Sequence, residues 1–320
     1  MICSYKPIDL NGIKTYSLLS RKSKVTSANF AEVWNKGGTF EKFIDSLPDL
    51  LAANQIKTVI SSIASAYENK KVVLFAMGAH VIKVGLNPVL IDLIKRGVIT
   101  AVAINGAGII HDFELAMTGR TSEDVAESLG DGTFGMAHET CTFLSDAIKK
   151  GGRESSGLGE AVGAAIIEAD LPHKDISLLA AAVQYKIPVT VHMAMGTDIL
   201  HMHPEFDPKE AGGASHRDFR TFASVVADLD QGVYMNVGSA VILPEVFLKA
   251  LTIVRNLGHN VKNFTAVNMD FIRHYRPMTN VVNRPTSEGG EGINLIGHHE
   301  IMLPLIAAGV IEKIGPSSDL

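Results

Sequence analysis

Cysteine is almost missing from this 320-residue chain, which has only Cys3 and Cys141. Two thiols cannot build a disulfide framework and suit a reducing compartment, so a cytoplasmic location is expected. A basic excess is missing too. With 34 acidic residues against 29 basic ones the formal net charge is -5, which gives no broad surface for neutralising phosphate backbones and argues against nucleic acid as a partner. The first 25 residues hold no continuous apolar core of the kind a secretory leader needs. Nowhere does a stretch of about 20 apolar residues run without polar breaks, so no membrane span is expected. There is no GxSxG elbow and no GxxxxGK[ST] loop, which disfavours a serine hydrolase and phosphoryl transfer from a nucleotide triphosphate. Cys141, within HETCTFL, reads as a buried, inert thiol on a helix. Neither an internal repeat nor an interdomain linker is visible, so residues 1–320 are expected to form one domain.

What is present is a large apolar fraction, 46% of the residues, together with 29 glycines. A chain of this length can bury a substantial core. Apolar runs that read as buried strands alternate with amphipathic stretches. KKVVLFAM (70–77) is followed by the helix pattern NPVLIDLIKRG (87–97) and the strand VITAVAI (98–104), which together make a βαβ unit. The theme returns at 181–194, at 232–238 before a helix over 244–258, at 264–270, and at 292–297 before a helix over 299–311. This rhythm predicts an α/β fold, a mainly parallel sheet with helices on both faces. Two segments depart from it. Residues 119–160, polar and glycine-rich around a helix near 136–149, read as an insertion at the ligand-binding edge. Residues 275–292, with two Arg-Pro pairs and three glycines, read as an irregular, lid-like segment.

Within residues 97–117 an apolar strand stops at Asn105-Gly106-Ala107-Gly108 and meets His111 and Asp112. A strand that ends in small residues leaves its carboxyl end open, and the acid that follows can reach a ribose hydroxyl, the pattern of a nucleotide pocket. A plain strand-to-helix turn would use the same glycines, and the full GxGxxG spacing is lacking. Farther on, His192, Asp198, His201 and His203 fall within twelve residues. Alternating positions of an extended segment face one side, so this cluster suits either a divalent metal or a polar pocket lining.

The order of these motifs resembles the deoxyhypusine synthase family over roughly residues 30–310. TFEKFIDSLPDLLAA is similar to the family's early helix, MGAHVIKVG to its cofactor-side turn and INGAGIIHD to its small-residue loop ending in an acid. KIPVTVHMAMGTDILHMHP resembles its Ile-Pro-Val strand and acidic turn, GVYMNVGSAVI its glycine-ended strand, and GINLIGHHEIMLPLI its last strand and helix. The resemblance implies a Rossmann-like sheet, a homotetramer, and NAD bound between subunits. It also implies oxidation of a polyamine, with transfer of an aminobutyl group to an amine acceptor. Carried over by position, Ala79, His80, Asn105, Gly106 and Asp112 fall where the family contacts the dinucleotide, and so do Gly238, Ser239, Asp270, Gly297 and His298. Asp198 matches an acid of the turn after the Ile-Pro-Val strand, and His111 stands where the family has a glutamate.

The departures concern the chemistry. The family's catalytic lysine follows an Arg-Pro pair in a Ser-Trp-Gly-Lys stretch, whereas Arg284-Pro285 here leads into TSEGGEGIN without a lysine. The family's Val-Val-Lys-His-His is replaced by Val241-Ile242-Leu243-Pro244-Glu245, and Asn280 stands where an acid would attract a polycation. Three readings follow. The first is an NAD-using transferase acting on an amine or polyamine, with His111 or His192 as proton acceptor. The second is a metal-assisted hydrolase using the histidine and aspartate cluster at 192–203. The third is a non-catalytic nucleotide-binding protein.

Overall fold

Strand-forming runs in this chain are short and apolar, and four of them stop at a glycine. In a computed structural model, which describes residues 5–315, they form β1 (Val73–Met77), β2 (Ala101–Asn105), β3 (Val189–His192), β4 (Val233–Val237), β5 (Thr265–Asp270) and β6 (Glu291–Ile296). All pairings are parallel, in the order β3-β2-β1-β4-β5-β6. β1 and β4 are buried along their whole length, and the edge strand β6 alternates between buried and exposed positions. That difference follows from helices covering both faces at the centre of a parallel sheet. The architecture is the α/β, Rossmann-like one that the sequence predicts.

The helices are α1 (Phe40–Ser46), α2 (Leu51–Glu68), α3 (His80–Lys83), α4 (Asn87–Lys95), α5 (Gly106–Thr118), α6 (Val125–Ser128), α7 (His138–Arg153), α8 (Leu158–Glu168), α9 (Leu178–Gln184), α10 (Pro208–Ala227), α11 (Ile242–Asn256), α12 (Tyr275–Pro277) and α13 (His299–Ile314). On one sheet face Phe75, Met77, Val102 and Ile104 pack with Ile60 of α2, Leu90 of α4, Ile109 of α5 and Leu303 of α13. The other face is built from small residues, Ala76, Ala101, Ala103 and Ala266, which leave depth for Phe222 of α10 and Phe247 of α11. Tyr234 of β4 stacks on Phe247 there, with ring centroids 3.7 Å apart. Alternation of large and small side chains across a sheet lets helices approach without voids.

The strand order reverses direction between β1 and β4, so their carboxyl ends diverge into a crevice, the place where open α/β sheets bind ligands. Two sequence expectations change here. The predicted strand over 181–194 is α9 for its first part and β3 only from Val189, after Pro188. Residues 275–292 are not irregular throughout: α12 runs into a π-helix, Met278–Asn283. Pro277 lies in the first helical turn, where its missing N–H is not needed. Asn280, Val281 and Val282 are buried against α11, β5 and β6, so this stretch is a packed wall rather than a lid. The polar segment 119–160 does hold the expected helix, as α7. No described helix is long and apolar enough to cross a membrane.

Candidate functional site

Two glycines make the floor of the crevice. A Cβ on Gly78 would lie 2.2 Å from the Gly238 carbonyl oxygen, and Gly238 has φ +64°, a left-handed conformation that side chains disfavour. The Gly78 amide donates to Val237 O at 2.9 Å and the Gly238 amide to Met269 O at 3.0 Å, which draws the ends of β1, β4 and β5 together. The two glycines thus let the ends of β1 and β4 and the His299 ring pack closer than a side chain would permit. Above them lies a cavity of about 430 Å³ lined by Gly78, Ala79, His80, Lys83, Asn105, His111 and Gly238 through Ile242. A larger groove of about 710 Å³ runs over the outer sides of α10 and α11, but it lies away from the carboxyl ends of the strands. The cavity at the switch point is the better site because backbone, base and cation converge there.

Asn105 closes β2, and its Oδ1 is buried without a hydrogen-bond partner. An unsatisfied buried acceptor calls for a donor that the protein does not itself supply. Ser239, also buried, accepts the Leu243 amide through Oγ at 3.2 Å, and so holds the first turn of α11 against the cavity. The amino end of α11 thus faces the same space as the Lys83 side chain, a combination that favours an anionic group.

His111 projects into this cavity from α5. Its Nδ1 lies 2.6 Å from Thr121 Oγ1, and Thr121 donates to Glu114 Oε2 at 2.6 Å. Burial, reinforced by the nearby Lys83 charge, pushes the imidazole down to about 4. The separation of 3.9 Å between Nδ1 and Glu114 Oε2 is therefore not an ion pair at neutral pH, since the ring carries no charge to pair.

Asp112, the next residue, points away from the cavity, and this corrects the sequence reading of a ribose ligand. It is fully buried and accepts four hydrogen bonds, from Asn87 Nδ2, Ser177 Oγ and the Leu178 and Leu179 amides. The last two are the opening amides of α9, so Asp112 caps that helix. Gly106 is also displaced from its expected role. A Cβ there would stand 2.0 Å from Asp198 Oδ2, so the Asp198 carboxylate covers the amino end of α5 where the resemblance implies a dinucleotide contact. Burial raises the Asp198 pKa against the opposing pull of His201, Thr197 and the Ala107 amide, and Oδ2 has no partner.

His192 also lies apart from the cavity. It is buried on the α10 face of β3, with Nε2 3.1 Å from Thr190 Oγ1 and its ring edge-on to Phe222. Burial pushes it down to about 3, so it is a neutral core side chain and not an accessible proton acceptor. The metal reading fails on geometry. His201 Nδ1 accepts the Gly196 and Asp198 amides, and His203 Nε2 bonds Gly135 O at 3.0 Å. Among the described residues no three histidine, cysteine, aspartate or glutamate side chains converge to hold an ion. Cys141 is buried, with its thiol pushed up to about 11 by burial and nearby acids, so it is no nucleophile.

The remaining expected residues gather at the adjoining rim. Asp270 ends β5 and lies 3.7 Å from His274 and 4.0 Å from His299. The Gly297 amide donates to Asp270 O at 3.0 Å, and the exposed His298 ring is nearly parallel to Phe271. The sequence reading placed His298 at the dinucleotide and not its neighbour His299. That side chain is buried, its Cε1 would be 2.8 Å from a Cβ on Gly238, and its ring centroid is 5.8 Å from that of His80. The doubled histidine before α13 was visible, but not which of the two turns inward. Lys83, which brings a charge to the cavity, stood within the MGAHVIKVG stretch without being singled out, and Glu114, which holds Thr121 behind His111, carried no motif.

No protein-family model and no curated protein matches the sequence. Solved structures do match. An Entamoeba histolytica protein assigned as a deoxyhypusine synthase superposes with a TM-score of 0.51 at 13% identity, covering 87% of this chain and 95% of that one. AgrE, as an alanine variant bound to L-arginine, superposes with a TM-score of 0.50 at 17% identity, covering 83% of this chain. This chain spans only 34% of that AgrE chain and 33% of the cyanobacterial arginine dihydrolase ArgZ. At these identities the likeness is one of fold, an α/β, Rossmann-like sheet that this chain shares with both.

Proposed function

We propose that this chain is an NAD-dependent enzyme acting on an amine or polyamine, a transferase that passes an aminoalkyl group to an amine acceptor. The observation that carries this reading is the cavity at the β1–β4 switch point, where two glycines, a neutral imidazole and a lysine meet. These residues fit a dinucleotide. Asn105 Oδ1 awaits a donor, and Lys83 with the amino end of α11 suits a pyrophosphate. The cavity takes part of the molecule, and the rim at Asp270, Gly297 and His298 would take the rest. NAD, when bound, supplies the hydride acceptor for a carbon next to nitrogen. His111 is uncharged at neutral pH and so can accept the proton that leaves the substrate. The shared fold with a deoxyhypusine synthase-like neighbour supports the reading.

Calorimetric titration tests it. NAD should bind, and Asn105→Leu should weaken binding by up to about tenfold, the worth of one hydrogen bond. Nicotinamide fluorescence should then rise when spermidine is added. No binding up to millimolar NAD removes the nucleotide reading, and binding without reduction in the presence of amines makes the protein a nucleotide-binding one without this chemistry.

A further inference from the structure

The link between His111, Thr121 and Glu114 fixes more than the position of a ring. A threonine hydroxyl has one hydrogen. Here it lies 2.6 Å from Glu114 Oε2 and 2.6 Å from His111 Nδ1, and an ionised carboxylate can only accept. The hydroxyl hydrogen therefore goes to Glu114, and Thr121 Oγ1 presents a lone pair to the imidazole. Two lone pairs facing each other at that distance would repel, so Nδ1 must carry the hydrogen of the neutral ring and donate it. The other nitrogen, Nε2, is then unprotonated and has no protein partner. Glu114 is itself held by Thr140 Oγ1 at 3.4 Å on its other oxygen, and its side chain is only 21% exposed, so the chain of bonds has a fixed outer end.

We infer that Glu114 and Thr121 are positioning residues that hold His111 as its Nδ1–H tautomer and present a bare Nε2 to the cavity, as the acceptor of an N–H or O–H proton from the ligand. When the proton moves, the ligand N–H bond breaks and an Nε2–H bond forms. The electron pair stays on the ligand nitrogen, and the imidazolium that results is tied through Thr121 to the Glu114 carboxylate. Lys83, from the facing helix α3, opposes that charge, so the imidazolium form is transient and the ring returns its proton readily. A ligand that suits the pair has an anionic group for Lys83 and a proton donor for Nε2. The inference rests on the proposed chemistry only for the use of the proton, since the tautomer is a property of the protein alone.

The test separates the two. Nitrogen-15 NMR of the full chain, labelled on histidine, should show His111 with a protonated Nδ1 and a pyridine-like Nε2 at pH 7. Thr121→Val should shift the ring toward the Nε2–H form, and Thr121→Ser should restore the original pattern. In NAD reduction driven by spermidine, Thr121→Val should lower kcat at least about tenfold with little change in KM, because the acceptor nitrogen is then occupied. A wild-type ring protonated on Nε2, or a Thr121→Val ring with unchanged tautomer, overturns the inference. An intact tautomer in a protein that does not reduce NAD leaves the network standing and removes the amine chemistry.

Discussion

Asp112 and His111 are adjacent in sequence and face different ways, because successive helix positions turn by about 100°. That one step separates a cavity base from a buried cap. Asp112→Ala would leave the Leu178 and Leu179 amides, the Ser177 hydroxyl and the Asn87 amide without their acceptor. The expected loss of stability is about 2–5 kcal/mol, the scale for breaking a buried polar network. NAD affinity of the folded fraction should stay within about twofold, which is less than one hydrogen bond. Urea unfolding and calorimetry on the same sample check both, and a stable variant that no longer binds NAD would return Asp112 to the ligand. The sequence made the acid visible as an acid. Its direction depends on the phase of α5, which the packing of Ile109, Ile110 and Phe113 sets and no local motif records. The same holds for His298 and His299, where the phase of α13 turns the second histidine inward.

Elements were more legible than directions. β1, β2, β4, β5 and β6, with α4, α11 and α13, follow from apolar runs and their glycine ends, since burial on both sheet faces writes itself into composition. The helical stretch from Tyr275 to Asn283 was hidden by its prolines, which are tolerated at a helix start and just beyond its end. What ties the elements together was also hidden, because it relies on single buried acids. Asp218 of α10 accepts the Val191 amide at 2.8 Å and the Gly159 amide at 3.1 Å, so it joins the end of β3 to the first turn of α8. Burial pushes its carboxyl up to about 7. A raised folded-state pKa means that its contribution is complete below the unfolded value near 3.8 and falls as pH rises toward 7. The slope is about 1.4 kcal/mol per pH unit. His192 acts with the opposite sign. Its pKa drops from 6.5 to about 3, so its contribution is complete above 6.5 and is lost as pH falls. Between these limits the two slopes oppose each other. Removing the acid by Asp218→Asn should make stability climb more steeply with pH than in the wild type, by about 1.4 kcal/mol per unit. Urea midpoints at pH 4.5, 5.5 and 6.5 decide it, and parallel curves for the two proteins would show that Asp218 does not titrate in this range.

At the scale of the whole molecule, one segment packs against little else among the described residues. Residues 5–28 are exposed throughout. Eight large apolar side chains there, Tyr5, Ile8, Leu10, Ile13, Tyr16, Leu18, Leu19 and Val25, range from 49% to 96% exposed. The segment joins the body where Asn29 O accepts the Asp49 amide at 3.1 Å and Trp34 packs edge-on against Phe43 at 5.7 Å. Exposed apolar surface on this scale marks an interaction site. The arm holds five basic residues and one acidic, whereas the rest of the chain holds 24 basic and 33 acidic. An acidic body attracts a basic arm, and a second copy of the chain supplies one. A face fit to receive it runs from Glu123 to Glu139. Glu123, Asp124, Glu127 and Asp131 stand there beside the exposed Val125, Leu129 and Met136, and no lysine or arginine occurs from 121 to 148. Each large side chain that the arm buries contributes about 1.5–3 kcal/mol, part of it offset by ordering the segment and by lost translational freedom. Light scattering should therefore give a multiple of 34.3 kDa, four copies being the number that the deoxyhypusine synthase resemblance implies. Leu18→Asp and Leu19→Asp together should lower that mass at micromolar concentration while leaving the melting of the body unchanged. Lys22→Glu with Lys24→Glu should weaken assembly as well, and salt should mimic it, because the attraction between exposed charges is screened within about 10 Å at 0.1 M. A wild-type mass of one chain would dismiss the assembly, and a mass unmoved by the leucine substitutions would take the arm out of it.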